Sequence, residues 1–400
     1  MDQAMKCFSK EFTRQESIPR SAVARALELM QTGKLHRYNV GIGEVGEVAL
    51  LEEEFAAYMG AKYCLSCASC GSAMYLALKS VGVESGDVVL CNSFTLAPVP
   101  GAIDNVGGKI RLIEVAADYK VDLVDLEIHS RDPHAKWFLI SHMRGHIANM
   151  DRVVEICDAN DIVLIEDCAH TMGASWNGRK SGTFGKVGCF STQTYKHLNS
   201  GEGGLLVTDD EDVIAKAILL SGSYMLYDKH TSRPPLHVFD RYKLKTPNYS
   251  CRMDNLRAAL LRPQLAELDV QCRRWNERYQ ILADRIRQIP GIVCPERDER
   301  EGYVASSIQF SLPNSSENVV RDFIEKNESR GVHIKWFGDK DPVGFTSSYS
   351  SWKYIEGLPH LPNTNRILAK LCDMRIPLTF DRDDCVLIAD IIEEVARETL

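Results

Sequence analysis

Lys196 stands among small and hydroxylated residues, just before a turn-prone run of glycines, in the stretch Phe190-Ser-Thr-Gln-Thr-Tyr-Lys196-His-Leu-Asn-Ser-Gly-Glu-Gly-Gly204. A lysine held at such a bend can attack a carbonyl once its surroundings lower its pKa. A lysine in a loop is more often simply a solvated charge. The chemistry of this stretch therefore depends on the groups that the rest of the chain places around it.

Two other features could serve the same chemistry. An apolar strand at 63–66, a small-residue loop at 68–72 and a helix at 73–81 would form an anion cradle, because backbone N–H groups and the helix dipole converge there. An ordinary tight turn between strand and helix fits the same residues equally well. Asp167 follows an apolar strand at 162–165. A carboxylate at that place can bind a ligand, or it can simply cap a helix or form a turn.

Pyridoxal 5'-phosphate needs these three kinds of group together. Its phosphate suits helix N-terminal amides and hydroxyls, its aldehyde forms a Schiff base with a lysine, and its ring nitrogen pairs with a carboxylate. The loop at 68–72, Lys196 and Asp167 would supply these groups. The sequence therefore predicts pyridoxal 5'-phosphate as the cofactor.

The order of these motifs resembles the DegT/DnrJ/EryC1/StrS family of pyridoxal-phosphate-dependent sugar aminotransferases. The matching motifs are Ser69-x-x-Ser72, Glu166-Asp167-x-Ala169 and Phe190-Ser191-x(4)-Lys196-x(4)-Gly201-Glu-Gly-Gly204. The resemblance implies an α/β architecture, fold type I. Its large domain would have a mostly parallel seven-stranded sheet flanked by helices, followed by a smaller α+β C-terminal domain. It also implies a homodimer with shared active sites.

The resemblance also implies a role for each matching residue. Lys196 would form the Schiff base and later move protons, and Asp167 would pair with the ring nitrogen. His170 stands where relatives often carry glutamine near the cofactor's 3-hydroxyl. His142 would lie near the cofactor or be an ordinary strand-end histidine. The residues expected to hold the phosphate are Ser69, Cys70, Gly71, Ser72, Ser191 and, assisting them, Gln193.

Two departures from the family pattern concern the cofactor. Relatives usually stack an aromatic ring on it, but the matching residue here is Leu96, so either Leu96 or Phe94 would cover the ring. Relatives also offer a phosphate-binding asparagine from the partner subunit, just before an Arg-Met pair. Ser250 occupies that place and Asn248 lies two residues earlier, so we expect one of these two to make the contact.

A third departure lies in His142-Met-Arg144-Gly-His146, because relatives usually have an aromatic or apolar residue at position 144. A fixed guanidinium can form a bidentate pair with a carboxylate. We expect Arg144 and His146 to contact the substrate, with Arg144 on a carboxylate of the amino donor or of an acidic sugar. A surface arginine in a loop is the alternative.

The predicted reaction moves an amino group from L-glutamate or L-glutamine to a keto-sugar. The product would serve surface polysaccharides such as lipopolysaccharide, or natural products. Family substrates include nucleotide-linked 4-keto and 3-keto hexoses, keto-cyclitols and oxidised eight-carbon sugar acids (octulosonates), and Arg144 favours an acidic sugar. Two other functions stay open: a sugar dehydratase, which relatives build with histidine in place of the lysine, and a non-catalytic cofactor-binding regulator.

Alternating strands and helices must position these residues. Between residues 63 and 208 this alternation predicts a mostly parallel sheet covered on both faces, with ligands at the carboxyl ends of its strands. A leading helix would end at Gly33, and the polar stretch at 221–246 would be a long loop. Pro263 predicts the boundary between a large domain (1–262) and a small C-terminal domain (263–400), with one helix ending near Leu260 and the next starting at Gln264.

Composition argues against several classes of partner. The net charge is −8, from 47 basic and 55 acidic residues, which favours neither nucleic acid nor an anionic membrane. No apolar run is long enough to span a bilayer and the N-terminus lacks a signal-peptide core, so we expect a cytoplasmic protein. Most of the 13 cysteines are scattered in apolar segments, and Cys64-x-x-Cys67-x-x-Cys70 lacks the fourth cysteine of an iron–sulfur site. We expect no metal.

Overall fold

The computed structural model describes residues 5–341, 343 and 347–400. Most strands of its central sheet are short runs rich in apolar residues. In chain order the strands are β1 (Tyr63–Cys67), β2 (Val88–Asn92), β3 (Lys109–Ile113), β4 (Ala135–Ser141), β5 (Val163–Asp167), β6 (Ser175–Trp176), β7 (Arg179–Lys180), β8 (Val187–Ser191), β9 (Gly204–Thr208), β10 (Glu301–Gly302), β11 (Ser307–Ser311), β12 (Lys335–Trp336) and β13 (Leu371–Arg375).

The helices alternate with these strands through the first half of the chain. They are α1 (Arg20–Thr32), α2 (Glu47–Met59), α3 (Cys70–Ser80), α4 (Pro98–Asn105), α5 (Leu123–Ser130), α6 (Met150–Ala159), α7 (Glu211–Gly222), α8 (Leu236–Phe239), α9 (Asn255–Ile286), α10 (Glu317–Ser329), α11 (Pro362–Leu368) and α12 (Arg382–Thr399). Within the described ranges, none of the helices has the length and apolar character that crossing a membrane requires.

Seven strands form the central sheet, in the order β1-β9-β8-β5-β4-β2-β3. β8, β5, β4, β2 and β3 run parallel, and β9 is antiparallel to both β1 and β8. Successive residues of β4, Phe138 and Leu139, enter different buried clusters, so helices cover both faces of the sheet. The predicted mostly parallel sheet flanked by helices is confirmed. Its topology places the carboxyl ends of β1, β2, β4, β5 and β8 at one edge.

Several predicted elements have different bounds in the structure. The leading helix does end at Thr32, with Gly33 in the left-handed conformation, but it begins only at Arg20, and residues 5–19 form neither helix nor strand. Helix α5 lies between β3 and β4, and the Asp122 side chain caps its first turn. The polar stretch at 221–246 contains the short helix α8.

Helix α9 runs unbroken through Pro263, so the predicted helix end near Leu260 is wrong. The Gln264 side chain donates a hydrogen bond to the Leu260 carbonyl at 2.6 Å, which supports the turn that precedes the proline. The helix packs Trp275 into the core under the large sheet and Tyr279 into a second core. One helix therefore serves both cores, and the division of the chain at 262 and 263 stays a prediction.

The second core belongs to a smaller α+β unit. Its antiparallel sheet has the order β11-β13-β12 and packs with α10 and α12. Phe8 and Phe12 enter this core, with ring centroids 5.0 and 4.9 Å from that of Phe380. Residues near the start of the chain thus complete the unit that the C-terminal third builds.

Candidate active site

A cavity of about 1060 Å³ opens at the edge where the parallel strands end. Residues that directly follow β1, β2, β4, β5 and β8 line it, as expected for a ligand site in an open α/β sheet. The smaller unit adds residues from β12 and β13, and residues 15–21 supply further lining. The cavity therefore lies between both cores and the N-terminal segment.

Lys196 lies in this cavity, in the loop between β8 and β9. Backbone hydrogen bonds hold the loop, because Lys196 N donates to Gln193 O at 2.8 Å and Thr192 N donates to Gly203 O at 3.0 Å. Burial lowers the pKa of Lys196 from 10.5 to about 7, and the positive charge of Arg144 acts in the same direction. Near neutral pH a large share of this amine is uncharged and therefore nucleophilic.

His170 is the immediate partner of Lys196. Its Nε2 atom forms a short hydrogen bond with Lys196 Nζ, and its Nδ1 atom accepts a hydrogen bond from the backbone N–H of Arg144 at 3.1 Å. A neutral imidazole carries a single N–H, so this second contact assigns the proton to Nε2. Burial, and then the charge of Lys196, lower the pKa of His170 well below its ordinary value. The Nε2–H group therefore donates to the lone pair of the uncharged Lys196 amine.

Asp167 is the last residue of β5, and it is buried beside this pair. Its Oδ2 atom accepts a hydrogen bond from the Ser141 hydroxyl at 2.7 Å, and its Oδ1 atom accepts one from Ala169 N at 3.1 Å. Thr95 in turn donates to Ser141 Oγ at 2.8 Å. These hydroxyls fix the carboxylate in one orientation at the cavity floor.

His142 lines the cavity, and its side chain contacts the carboxylate of Glu166, the residue before Asp167. Its Nε2 atom lies 3.2 Å from Glu166 Oε2. The same carboxylate accepts backbone hydrogen bonds from Gly182 at 2.9 Å and from Phe184 and Gly185 at 2.7 Å each. The Glu166 carboxylate therefore stabilises the backbone between β5 and β8, and it also orients the His142 ring.

The loop after β1 forms the expected cradle at the start of α3. Ser69 caps the helix, since its hydroxyl accepts a hydrogen bond from Ser72 N at 3.0 Å. Ser69, Cys70 and Gly71 line the cavity, whereas Ser72 is not among the described lining residues, although its hydroxyl is 3.0 Å from that of Ser69. A Cβ atom on Gly204 would lie 2.3 Å from the Ser69 carbonyl oxygen. The start of β9 therefore packs directly against the cradle, and only glycine fits at position 204.

Three further residues predicted to bind the cofactor, Ser191, Gln193 and Leu96, line the same cavity. Ser191 and Gln193 line it, with Ser191 Oγ accepting a hydrogen bond from Gln193 N at 3.3 Å. Leu96 also lines it, whereas Phe94 is fully buried and packs against the Phe337 ring at 5.1 Å. Of the two residues considered for covering the cofactor ring, the structure thus places Leu96 at the cavity.

The two residues predicted to contact the substrate, Arg144 and His146, lie in different places in the structure. Arg144 lines the cavity, in a left-handed backbone conformation with φ 57°, and its Nη2 atom lies 2.9 Å from Asp373 Oδ2. His146 is buried elsewhere, with Nε2 2.8 Å from Gln309 Oε1 and its ring against that of Tyr119. His146 is not among the described residues that line the cavity.

Asn248 and Ser250 lie in an exposed segment outside the cavity of their own chain. Asn248 Oδ1 accepts a hydrogen bond from Ser250 N at 2.9 Å, and Ser250 Oγ accepts one from Arg252 at 2.8 Å. This turn leaves both side chains at the surface. Their contact with a second subunit stays a prediction.

Sequence reasoning missed several residues that line the cavity. Ser141 directly precedes His142 at the end of β4, so its place at a strand terminus was a signal that could have found it. Tyr195 and Arg375 meet across the two units, with the guanidinium carbon 3.9 Å from the ring centroid. A contact between residues so far apart in the chain leaves no local pattern in the sequence.

The described residues fit pyridoxal phosphate. The concave start of α3 offers hydroxyls and free helix amides to a phosphate, Lys196 offers an amine of lowered pKa, and Asp167 offers an oriented carboxylate. An open α/β sheet that brings these groups to one edge defines a pyridoxal-phosphate-dependent enzyme of fold type I. The chain belongs to the DegT/DnrJ/EryC1/StrS aminotransferase family, which matches residues 24–393.

Comparisons with known proteins support this assignment. The chain is 33% identical over 364 residues to dTDP-3-amino-3,4,6-trideoxy-alpha-D-glucose transaminase of Micromonospora megalomicea subsp. nigra, covering 87% of this chain and 88% of that relative. It is 31% identical over 340 residues to the spore coat polysaccharide biosynthesis protein SpsC of Bacillus subtilis (strain 168), covering 79% and 85%. The crystal structure of 3-amino-5-hydroxybenzoic acid (AHBA) synthase superimposes with a TM-score of 0.83 at 23% identity, covering 97% and 99%. The predicted family, fold type I architecture and aminotransferase class are confirmed.

Proposed function

We propose that this chain moves the amino group of L-glutamate, or of L-glutamine, to a keto-sugar. The observation that carries the proposal is the hydrogen bond between Lys196 Nζ and His170 Nε2, in a cavity that also holds Asp167 and the start of α3. This contact presents an uncharged amine for covalent bonding to the cofactor. It also places a neutral N–H donor beside that amine.

Each residue has a distinct role in this proposal. Pyridoxal phosphate, when bound, withdraws electrons from the reacting carbon and carries the amino group between substrates. Lys196 bonds the cofactor and then moves protons at its Nζ atom, with His170 holding that atom in place. Asp167, oriented by Ser141, pairs with the ring nitrogen. The residues proposed to hold the phosphate are Ser69, Cys70, Gly71, Ser72, Ser191 and Gln193.

The proposed keto-sugar is acidic, such as an oxidised octulosonate. Three cationic side chains, Arg144, Lys335 and Arg375, line the cavity on the side of the smaller unit, and Arg144 pairs with the carboxylate of Asp373. Such a positive wall favours an anionic substrate. The second candidates are a nucleotide-linked 4-keto or 3-keto hexose and a keto-cyclitol, and the name of the Micromonospora relative refers to a nucleotide-linked amino sugar.

The proposed enzyme is a cytoplasmic homodimer with shared active sites. The exposed turn at Asn248 and Ser250 supports the dimer, because its polar side chains are free of the chain's own cavity. The cytoplasm is supported by the cysteines, since all 13 are free thiols, as is usual in a reducing compartment.

The test is an absorbance spectrum of the cofactor-loaded protein before and after excess L-glutamate. We expect the visible band of the bound cofactor to give way to the ultraviolet band of its amino form, with one equivalent of 2-oxoglutarate released per site. Lys196→Ala should lack the initial band. Lys186→Ala is the matched control, because Lys186 lies at the surface in an ion pair with Asp210.

The alternatives give different results in the same experiment. A cofactor band that responds to L-glutamine alone identifies the other donor. A sugar dehydratase would turn over its keto-sugar precursor without any amino donor, and a non-catalytic regulator would keep its spectrum unchanged with every donor. A wild-type protein that takes up no cofactor would contradict the proposed role of Lys196.

A further inference from the structure

The side of the cavity formed by β12 and β13 carries more positive than negative charge. Arg144, Lys335 and Arg375 line it, and Arg144 pairs with Asp373, which is not itself among the described residues that line the cavity. Asp373 and Arg375 are two residues apart on β13, so their side chains lie on the same face of the strand. We call these four residues the cationic wall.

The carboxylate of Asp373 already contacts side chains other than that of Arg375. Its Oδ2 atom is 2.9 Å from Arg144 Nη2, and its Oδ1 atom accepts a hydrogen bond from Gln309 Nε2 at 2.7 Å. The Arg144 and Asp373 side chains are only 9% and 1% exposed. Asp373 thus already offsets the charge of Arg144, and displacing it from this buried pair would leave an unpaired buried charge, although Arg144 Nε has no hydrogen-bond partner among the described residues.

Arg375 differs from Arg144 in having no such partner. Among residues 5–341, 343 and 347–400, no carboxylate lies within 4.0 Å of its guanidinium. The guanidinium carbon instead sits 3.9 Å from the centroid of the Tyr195 ring. Burial, followed by the charge of Arg144, lowers the pKa of Arg375, and the charge of Asp373 only partly opposes this effect.

The position of Arg375 relates it to the reacting amine. Tyr195 immediately precedes Lys196, so the ring that holds the guanidinium also adjoins the site of amino transfer. The charge of Arg375 acts on both Lys196 and His170. A planar cation fixed by stacking keeps its N–H fork free for a carboxylate.

We propose that Arg375 binds a substrate carboxylate beside Lys196, while the Arg144–Asp373 pair holds the wall behind it. The proposal rests on the aminotransferase function proposed above, and it moves carboxylate binding from Arg144 to Arg375. The carboxylate has two possible sources, the amino donor or an acidic keto-sugar. In an α-amino acid the carboxylate is attached to the carbon that bears the amine, which matches an arginine adjoining the lysine.

The first test follows the donor half-reaction in Arg375→Gln. Apparent Kd for L-glutamate, from the concentration dependence of the cofactor spectrum, should rise about 10- to 100-fold, because a charged hydrogen-bonded pair is lost. The rate at saturating glutamate should change much less. Arg375→Lys keeps the charge but not the fork, so its loss should be smaller than that of Arg375→Gln. The matched control is Arg366→Gln, which removes the same charge from an exposed position on α11 of the same unit.

A second test measures binding without reaction. Calorimetric titration of the cofactor-loaded protein with glutarate measures the binding of a dicarboxylate that resembles the amino donor. Calorimetry of D-glucuronate against D-glucose, on the amino form of the protein, reports the sugar carboxylate, because these two sugars differ only in that group. Loss of glutarate binding in Arg375→Gln assigns the donor as the source, and loss of glucuronate binding assigns the sugar.

These measurements keep the two proposals separate. A wild-type protein that binds glutarate but never changes its spectrum with a donor would contradict aminotransfer, while Arg375 would still be tested by the binding data. The proposal is overturned if glutamate, glutarate and glucuronate all bind Arg375→Gln as they bind wild type. Circular dichroism and the unfolding temperature of each variant show whether any loss reflects misfolding instead; if Arg375→Gln is unfolded, Arg375→Lys serves for the same comparison.

Discussion

The reaction proposed for Lys196 needs an uncharged amine, so the surroundings of this lysine would set the pH range of the site. Burial and the charge of Arg144 lower its pKa to about 7. Because the pKa falls on folding from 10.5, the folded state disfavours the charged amine. This costs stability below about pH 7, and the cost is relieved as the pH rises towards 10.5.

We predict that the apoenzyme captures added pyridoxal phosphate at a rate that rises with pH through a midpoint near 7. Arg144→Met should move this midpoint upward, because it removes a positive charge that disfavours protonated Lys196. Stopped-flow absorbance over a pH series measures both profiles. Arg382→Gln, at a side chain 72% exposed on α12, should leave the midpoint where it is. An unchanged midpoint in Arg144→Met would show that Arg144 does not act on the lysine.

Residues that carry a motif were predictable, and those that meet only in space were not. Lys196, Asp167 and the loop at Ser69 can be recognised in the sequence, because residue type and a place near a strand end or a helix start both mark them. Arg144 was noticed for its type, but its partner Asp373 lies 229 positions later (373 − 144) in another sheet. Nothing local marks such a pair, since its geometry depends on how the two cores dock.

Among the elements, the loop between β8 and β9 depends on a close backbone contact. A Cβ atom at Gly204 would meet the Ser69 carbonyl oxygen at 2.3 Å and Cys70 N at 2.6 Å. Both neighbours are backbone atoms, so they cannot rotate away as a side chain could. The start of β9 and the start of α3 therefore fix each other's position.

We predict that Gly204→Ala lowers the free energy of unfolding by about 1–3 kcal/mol, because the added methyl group forces the two backbones apart. Cofactor affinity should also fall at least several-fold, since the displaced atoms belong to the phosphate cradle. Thermal unfolding and equilibrium dialysis of the cofactor check these two effects. Gly101→Ala is the matched control, because a Cβ there has no atom within 4 Å and helix α4 should tolerate it.

Element type was easier to predict than element extent. Apolar runs at strand spacing located the central sheet: the strand predicted at 63–66 lies within β1, and the one predicted at 162–165 overlaps β5. Pro263 misled the prediction because a proline usually ends a helix. In α9, burial of residues on both sides of Pro263, including Leu261 and Leu265, outweighs that local preference.

For the whole molecule, the first residues of the chain connect the two cores. Phe8 and Phe12 pack into the smaller unit, while Arg20 begins the first helix, which packs against α9. Residues 15–21, between these anchors, line the active-site cavity. The stability of the smaller unit and the shape of the cavity are therefore linked through this segment.

We predict that Phe12→Ala lowers the free energy of unfolding by about 3–5 kcal/mol, because a buried aromatic ring that packs on Phe380 is lost. The apparent KM for the amino donor should also rise, since the segment that lines the cavity loses its anchor. Chemical denaturation and steady-state kinetics measure these changes. Thr13→Ala, at the neighbouring exposed position, should stay within about 0.5 kcal/mol of wild type. Wild-type stability in Phe12→Ala would show that the smaller unit folds without the N-terminal segment.

The packing of Phe8 and Phe12 also has a consequence for protein synthesis. Phe8 and Phe12 leave the ribosome long before Phe380, their neighbour in the core. Until Phe380 has been synthesised, the nascent chain thus carries two aromatic side chains whose binding place does not yet exist. A chaperone or protease that recognises exposed aromatic residues can therefore distinguish a chain that lacks this core from one that has formed it.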